Sequence, residues 1–193
     1  MKHWPLKNQH PLFPDEPGRF GAKRKHDFHT GIDLYCELGQ EVVAIEDGTV
    51  VTVEPFTGEK AESAWWNDTE AILVKGESGV INYAEVTPLV KEGDEVKAGQ
   101  VIAVVDTAVL KSFKGRPMVM LHLELLSKDT NTSPWWIEGE QPKNILDPTP
   151  LLYDVCATTG FINFRLEDYD GEKYKDQNAP EKPSRWWAVW QDN

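Results

Sequence analysis

From Asp33 to about Asp106 the chain alternates short apolar runs with turn signals. Val42-Val43-Ala44-Ile45 is followed by Glu46-Asp47-Gly48, a D-G turn, and then by Thr49-Val50-Val51-Thr52-Val53. Ala71-Ile72-Leu73-Val74 leads through Gly76-Glu77-Ser78-Gly79 into Val80-Ile81-Asn82-Tyr83-Ala84. β-Branched runs bounded by Gly and Asp at this spacing predict a β-meander or barrel. Hardly any segment sustains a helical period, so the predicted core is mostly β. In Gly93-Asp94-Glu95-Val96-Lys97-Ala98-Gly99 two glycines flank a short strand, which predicts tight turns at positive φ. A further strand is predicted from Met118 to Leu126. Its alternation puts Met120, His122 and Glu124 on one face and Leu121 and Leu123 on the other.

Outside this region the pattern weakens. The first 25 or so residues, rich in Pro, Gly and charge, read as an irregular arm. A loop containing Lys111, Lys114 and Pro117 precedes the last strand, and a polar, Trp-containing loop spans 127–147. Asp147-Pro148-Thr149-Pro150-Leu151-Leu152 suggests a Pro-started turn or short helix closing the domain. The expected organisation is an arm over 1–17, one domain over 18–152, and an acidic tail over 153–193 that docks through Trp186 and Trp187 or stays mobile. No internal repeat is evident.

Composition narrows the partners. The 193 residues are 40% hydrophobic and 27% charged, ordinary for a globular protein, with a net charge of −12. That charge argues against nucleic acid and against adsorption to anionic membranes, both of which call for basic patches. No stretch approaches the roughly 18 apolar residues of a transmembrane helix, and the first residues lack the apolar core of a signal peptide. Cys36 and Cys156 are too few for a disulfide framework and form no CxxC pair; they read as two buried free thiols, with one bridge in an oxidising compartment as the alternative.

Two distant segments carry candidate chemistry. His29-Thr30-Gly31-Ile32-Asp33 offers an imidazole and a carboxylate four positions apart, and Leu121-His122-Leu123-Glu124 offers an imidazole on a strand. Three N/O ligands with a free fourth position make the arrangement of a catalytic zinc rather than a closed structural one. Taken singly, either histidine reads more readily as a half-buried side chain satisfied by a backbone carbonyl; together with Asp33 the balance moves toward a ligand set.

Phe28-His29-Thr30-Gly31-Ile32-Asp33-Leu34, followed by Gly39, Val43-Ala44 and Asp47-Gly48-Thr49-Val50, resembles the opening of the lysostaphin/LytM-type zinc peptidases, which cut peptide bridges in bacterial cell walls. Tyr83-Ala84-Glu85-Val86, Val90-Lys91-Glu92-Gly93-Asp94 and Val96-Lys97-Ala98-Gly99-Gln100-Val101-Ile102 continue the match in register, and Met120-Leu121-His122-Leu123-Glu124 closes it. The resemblance covers roughly residues 18–152. It implies a compact antiparallel β-sheet or half-barrel core and one Zn2+ ion held by His29, Asp33 and His122. It also implies a peptide or peptidoglycan-type substrate and a location outside the cytoplasm; without a cell-wall role the chain would be expected in the cytoplasm.

The resemblance also exposes two departures. The family's assisting histidines, one in a Tyr-Ala-His stretch and one in His-x-His, correspond here to Glu85 and Met120. Met120 can neither donate a strong hydrogen bond nor carry a proton. Glu85 could act as a general base, coordinate the metal and block its open position, or be a solvated strand-end charge. Glu124 could orient a ligand histidine from outside the metal, or be a salt-bridged strand residue. His26 reads as a surface histidine in a basic loop, with an approach to the metal as its alternative. The pairs Trp65-Trp66 and Trp135-Trp136 read as packing or as walls of a groove.

Two functions compete on this basis: an active zinc metallopeptidase, and an inactive member that binds a metal, a peptide or a protein partner. A biotinyl- or lipoyl-like carrier, suggested by Val90 to Val104 alone, lacks the modified-lysine tripeptide such domains display.

Overall fold

A computed structural model describes residues 1–14, 18–24, 26–109 and 119–159. The loop holding Lys111, Lys114 and Pro117 and the segment from 160 onward, with Trp186 and Trp187, lie outside the described residues. The strands are β1 (Ile32–Tyr35), β2 (Gln40–Val43), β3 (Gly48–Thr57), β4 (Thr69–Gly76), β5 (Val80–Pro88), β6 (Glu95–Val96), β7 (Val101–Val105), β8 (Met120–Leu126) and β9 (Ile145–Leu146). One helix follows, α1 (Thr149–Thr159).

Every pairing is antiparallel, in the order β1-β8-β5-β4-β3-β6. A branch runs from the end of β5 through β7 to β2, and β9 extends the edge that β1 occupies along β8. β3, β4 and β5 form the expected meander, but the sheet does not close into a barrel. The Asp47-Gly48 turn is not a hairpin: β2 pairs with β7 while β3 pairs with β4 and β6, so the turn carries the chain from one branch to the other. Gly93 and Gly99, flanking β6, sit at φ 88° and 80°, the positive-φ turns their spacing predicts.

The two faces of the sheet differ. One buries Ile32, Leu34, Ile72, Val74, Ile81, Tyr83, Leu121, Leu123 and Leu125 in the main core. The other carries a smaller cluster of Ala71, Leu73, Val80, Ala84, Leu126 and Ile145, backed by Phe20, Phe56 and Trp136. The N-terminal residues join the main core: Trp4 and Leu6 are buried in it. Their backbone is tied down by His3 N–H to Ile45 O, Lys7 N–H to Glu41 O and Val43 N–H to Pro5 O. α1 runs across the boundary expected at 152, and its Leu151, Leu152, Val155 and Cys156 pack into the same core. Core packing therefore begins before residue 18 and continues past 152 to Cys156. Cys36, partly exposed, and Cys156, buried, are not joined in a disulfide.

Two backbone details shape the polar side of the sheet. A Cβ on Gly31 would lie 2.3 Å from the Leu123 carbonyl oxygen and 3.0 Å from Glu124 Cγ, so only glycine lets the His29–Asp33 turn lie flat against β8. On β5, Val86 pairs with Glu70 and Ala84 with Ala71, leaving Glu85 as an extra residue in a β-bulge at φ 64°. Bulges re-aim side chains, and a left-handed glutamate costs on the order of 1–3 kcal/mol, to be offset by its surroundings.

Candidate metal centre

Register alone brings half of the site together. Asp33 on β1 is the direct partner of His122 on β8, which in turn faces Ala84 on β5. Cross-strand partners share a face, and here it is the face opposite Leu121 and Leu123. His29 arrives from the turn before β1, fixed by its N–H to Ala22 O and by Gly21 N–H to its own carbonyl.

His29 Nε2, His122 Nδ1 and Asp33 Oδ1 form a nearly equilateral triangle with edges of 3.1, 3.0 and 2.9 Å. Tetrahedral ligands at zinc distances are separated by about 3.3 Å, so an ion would need these atoms to spread by only a few tenths of an ångström. All three residues are buried, and they form a group able to hold a metal ion. The outward nitrogens are engaged as ligand imidazoles require. His29 Nδ1–H donates to the Arg19 carbonyl at 2.9 Å, which leaves Nε2 as a lone pair facing the triangle. His122 Nε2–H faces Glu124 Oε1 at 3.3 Å. Glu124 also accepts from Thr30 Oγ1 at 2.5 Å, Asn82 Nδ2 at 2.7 Å and Ser133 Oγ at 2.8 Å. The Phe56 ring lies 5.3 Å from that of His122.

The charges fit a cation site. Burial lowers the His29 pKa, so this ring stays neutral despite the opposing pull of Asp33. Asp33 is held well below the ordinary carboxylate range: burial works the other way, but the hydrogen bond from charged His122 and the Arg24 guanidinium outweigh it. Burial disfavours a charged His122 as well, yet its hydrogen bonds to Asp33 and Glu124 push its pKa up to about 10. Without a metal, His122 thus carries both protons. The His29 Nε2–Asp33 Oδ1 edge still sets two lone pairs face to face, which a cation inside the triangle relieves. Binding one requires His122 to release its Nδ1 proton, so affinity falls as pH falls.

Glu85 is buried at 8% exposure, with Oε2 lacking a hydrogen-bond partner among the described residues, so it is not a solvated strand-end charge. Burial first, and the Asp33 charge second, raise its pKa to about 8, while His122 and Arg24 pull the other way. A carboxyl titrating near neutrality is suited to take up and return a proton. Met120 is buried beside the site face and brings no polar atom that could assist. Glu124 is fully buried and tied to His122 rather than standing as a lysine- or arginine-paired strand residue.

His26 is exposed. Trp136 stacks on Phe28 at 4.8 Å, whereas Trp65 and Trp135 are exposed. Sequence reasoning passes over Arg24, which reads as part of a solvated basic loop. Its guanidinium Nη2 lies 2.7 Å from Asp33 Oδ2. It also passes over Thr30, Asn82 and Ser133, whose convergence on Glu124 comes from three separate elements and leaves no local spacing signal.

A family model described as peptidase family M23 matches residues 27–134. No curated protein matches the chain. Among solved structures, lysostaphin from Staphylococcus simulans, described as an antimicrobial peptidase, is similar at 21% identity and TM-score 0.50, over 80% of this chain and 55% of that one. The lysostaphin catalytic domain gives 23% identity and TM-score 0.44, over 79% and 92% respectively. A zinc-containing peptidase from Vibrio cholerae gives 22% identity and TM-score 0.46, over 73% of this chain and 40% of that one. The chain thus spans less than two thirds of two of these three structures. At these identities the likeness is one of fold.

Proposed function

The chain belongs to peptidase family M23, and on that premise we propose that it is a zinc-dependent peptidase cutting peptide bonds of the peptidoglycan type, outside the cytoplasm. The observation that carries this reading is the His29–Asp33–His122 triangle, with edges of 2.9–3.1 Å and each imidazole fixed from its far side. These three residues would hold the ion. A zinc ion there would supply a Lewis acid for the scissile carbonyl and acidify a water at its open position. Glu85, a buried carboxyl whose pKa is raised to about 8, would serve beside the triangle as the group that takes up and returns a proton. Glu124 keeps the His122 Nε2 proton in place, so that Nδ1 stays the ligand atom. Because Met120 offers no donor to the developing oxyanion, turnover is expected to be slow, by roughly 10²–10³-fold per missing donor.

Metal analysis combined with a peptidoglycan-peptide cleavage assay tests the proposal. One zinc per chain and hydrolysis, both lost in Asp33→Ala, are expected; unchanged cleavage by Asp33→Ala would rule the mechanism out. The apolar side chain at Met120 favours one second reading, a metal-holding module that binds peptides without cutting them. Cleavage that emerges only in the double variant Glu85→His/Met120→His would select that alternative.

A further inference from the structure

We propose that Arg24 is a positioning residue of the metal centre, holding Asp33 by its outer oxygen so that it offers the ion a single oxygen. The inference rests on the zinc reading above and concerns a residue outside the ligand set. Asp33 divides its two oxygens cleanly. Oδ1 faces His29 Nε2 at 3.0 Å and His122 Nδ1 at 2.9 Å, whereas Oδ2 is taken by Arg24 Nη2 at 2.7 Å.

The Arg24 contact is built into the backbone. Gly21 N–H bonds His29 O, His29 N–H bonds Ala22 O, and Lys23 bridges Phe28, so the residues leading up to Arg24 are paired with those around His29. Arg24 N–H closes the turn on Asp27 O at 2.8 Å. The same short ribbon therefore delivers the His29 ligand at one end and the Arg24 guanidinium near the other, and the two meet on Asp33. The Asp33 side chain is 7% exposed and that of Arg24 34%, so the pair is shielded on the carboxylate side.

Two consequences follow from elementary chemistry. A carboxylate whose outer oxygen accepts a charge-assisted hydrogen bond is a poor chelator, because both oxygens cannot turn to one ion without breaking that bond. With Asp33 limited to one oxygen, three protein atoms bind and the fourth position stays open, as a catalytic zinc requires. The guanidinium also settles the charge of the pocket. Asp33, Glu85 and Glu124 are each buried and each feels the His122 ring, and a divalent ion alone leaves one of the three carboxylates uncompensated when all are ionised. Arg24 supplies the missing positive charge, always present because guanidinium does not deprotonate.

Cobalt(II) replacing zinc provides a readout independent of turnover, since its visible absorption is strong in four-coordinate and weaker in five-coordinate sites. The wild-type protein, Arg24→Gln and Arg24→Lys are titrated with cobalt after chelation, with far-ultraviolet circular dichroism as the check on folding. Arg24→Gln is expected to bind cobalt with an absorption reduced about two-fold, as Asp33 turns both oxygens to the ion. Arg24→Lys, keeping a charged donor, should recover most of the band. A spectrum and affinity for Arg24→Gln identical to wild type would overturn the role of Arg24 while leaving the metal site standing. Failure of the wild-type protein to take up either cobalt or zinc would overturn the zinc reading itself, and this inference with it.

Discussion

On β8, Leu121, Leu123 and Leu125 enter one face of the sheet, while Met120, His122 and Glu124 enter the other. The two sets are one residue out of phase, and both are buried. The leucines meet Ile32, Leu34, Ile81 and Tyr83, and the removal of that surface from water is a non-directional stabilisation. His122 and Glu124 gain nothing from burial as such; each carries a charge that must be matched in place. The polar face is accordingly ordered by reciprocal contacts: Asp33 and Glu124 on either side of His122, and Thr30, Asn82 and Ser133 around Glu124. A strand buried on both faces can thus divide its work, one side holding the sheet together and the other holding a binding constellation rigid.

The sharpest way to break this division is to truncate neighbours on opposite faces. His122→Ala is expected to lower zinc content from one per chain to none, because it removes a corner of the triangle. Leu123→Ala should lower unfolding stability by about 2–5 kcal/mol through lost burial and cavity formation, with zinc content retained. Metal analysis and urea denaturation on both variants separate the effects. Stoichiometric zinc in folded His122→Ala would show that the polar face is structural and not a metal site.

Much of the division is legible in the sequence, and the reasons it stops where it does are physical. Period-two alternation separates His122 from Leu121 and Leu123 without any knowledge of partners, and the β-branched runs mark the first halves of β3 and β5 and the middle of β4. The pairing of Asp33 with His122 depends on β1 meeting a strand 85 residues away at its nearest end, for which local pattern holds no information. Trp4 and Leu6 look like an irregular arm because a pairing of a few residues along Glu41 to Ile45 is too short to display a period. Glu85 escapes the pattern for a different reason. Simple alternation sets it on the face of Tyr83, whose hydroxyl accepts from Ile45 N–H in the main core, but the bulge at φ 64° breaks that alternation.

Glu85 therefore stands where the two faces exchange residues, and its protonation offers a second test of how they differ. Its carboxyl titrates near 4.5 in an ordinary environment and about 8 in the fold. The native chain keeps the proton where the unfolded chain has lost it. The stabilisation is full below about pH 4.5, declines as pH rises, and is gone above about pH 8. Over this window Glu85 adds a downward slope of at most about 1.4 kcal/mol per pH unit to metal-free stability. Glu85→Gln, neutral at all pH values, should remove that slope, so the variant gains on the wild type between pH 5 and pH 8. Denaturant midpoints in the presence of a chelator measure it. Parallel pH profiles for the two proteins would mean that Glu85 is solvated and belongs to neither face.

A smaller effect is expected where a residue of the polar face would reach a bound metal only through another residue. Glu124→Gln keeps the shape of the side chain and its acceptor oxygen but removes the charge that fixes the His122 Nε2 proton. Outer partners of this kind are worth about 10–100-fold in metal affinity, against complete loss for a ligand. Zinc affinity from competition with a chromogenic chelator should fall within that range, while the β content remains that of the wild type. A fall that large, without unfolding, would distinguish an orienting carboxylate from one that merely fills the sheet. The amide keeps one acceptor oxygen and makes the other position a donor, a change that the Thr30 and Ser133 hydroxyls can follow by turning to accept, whereas Asn82 Nδ2 and His122 Nε2 can only donate.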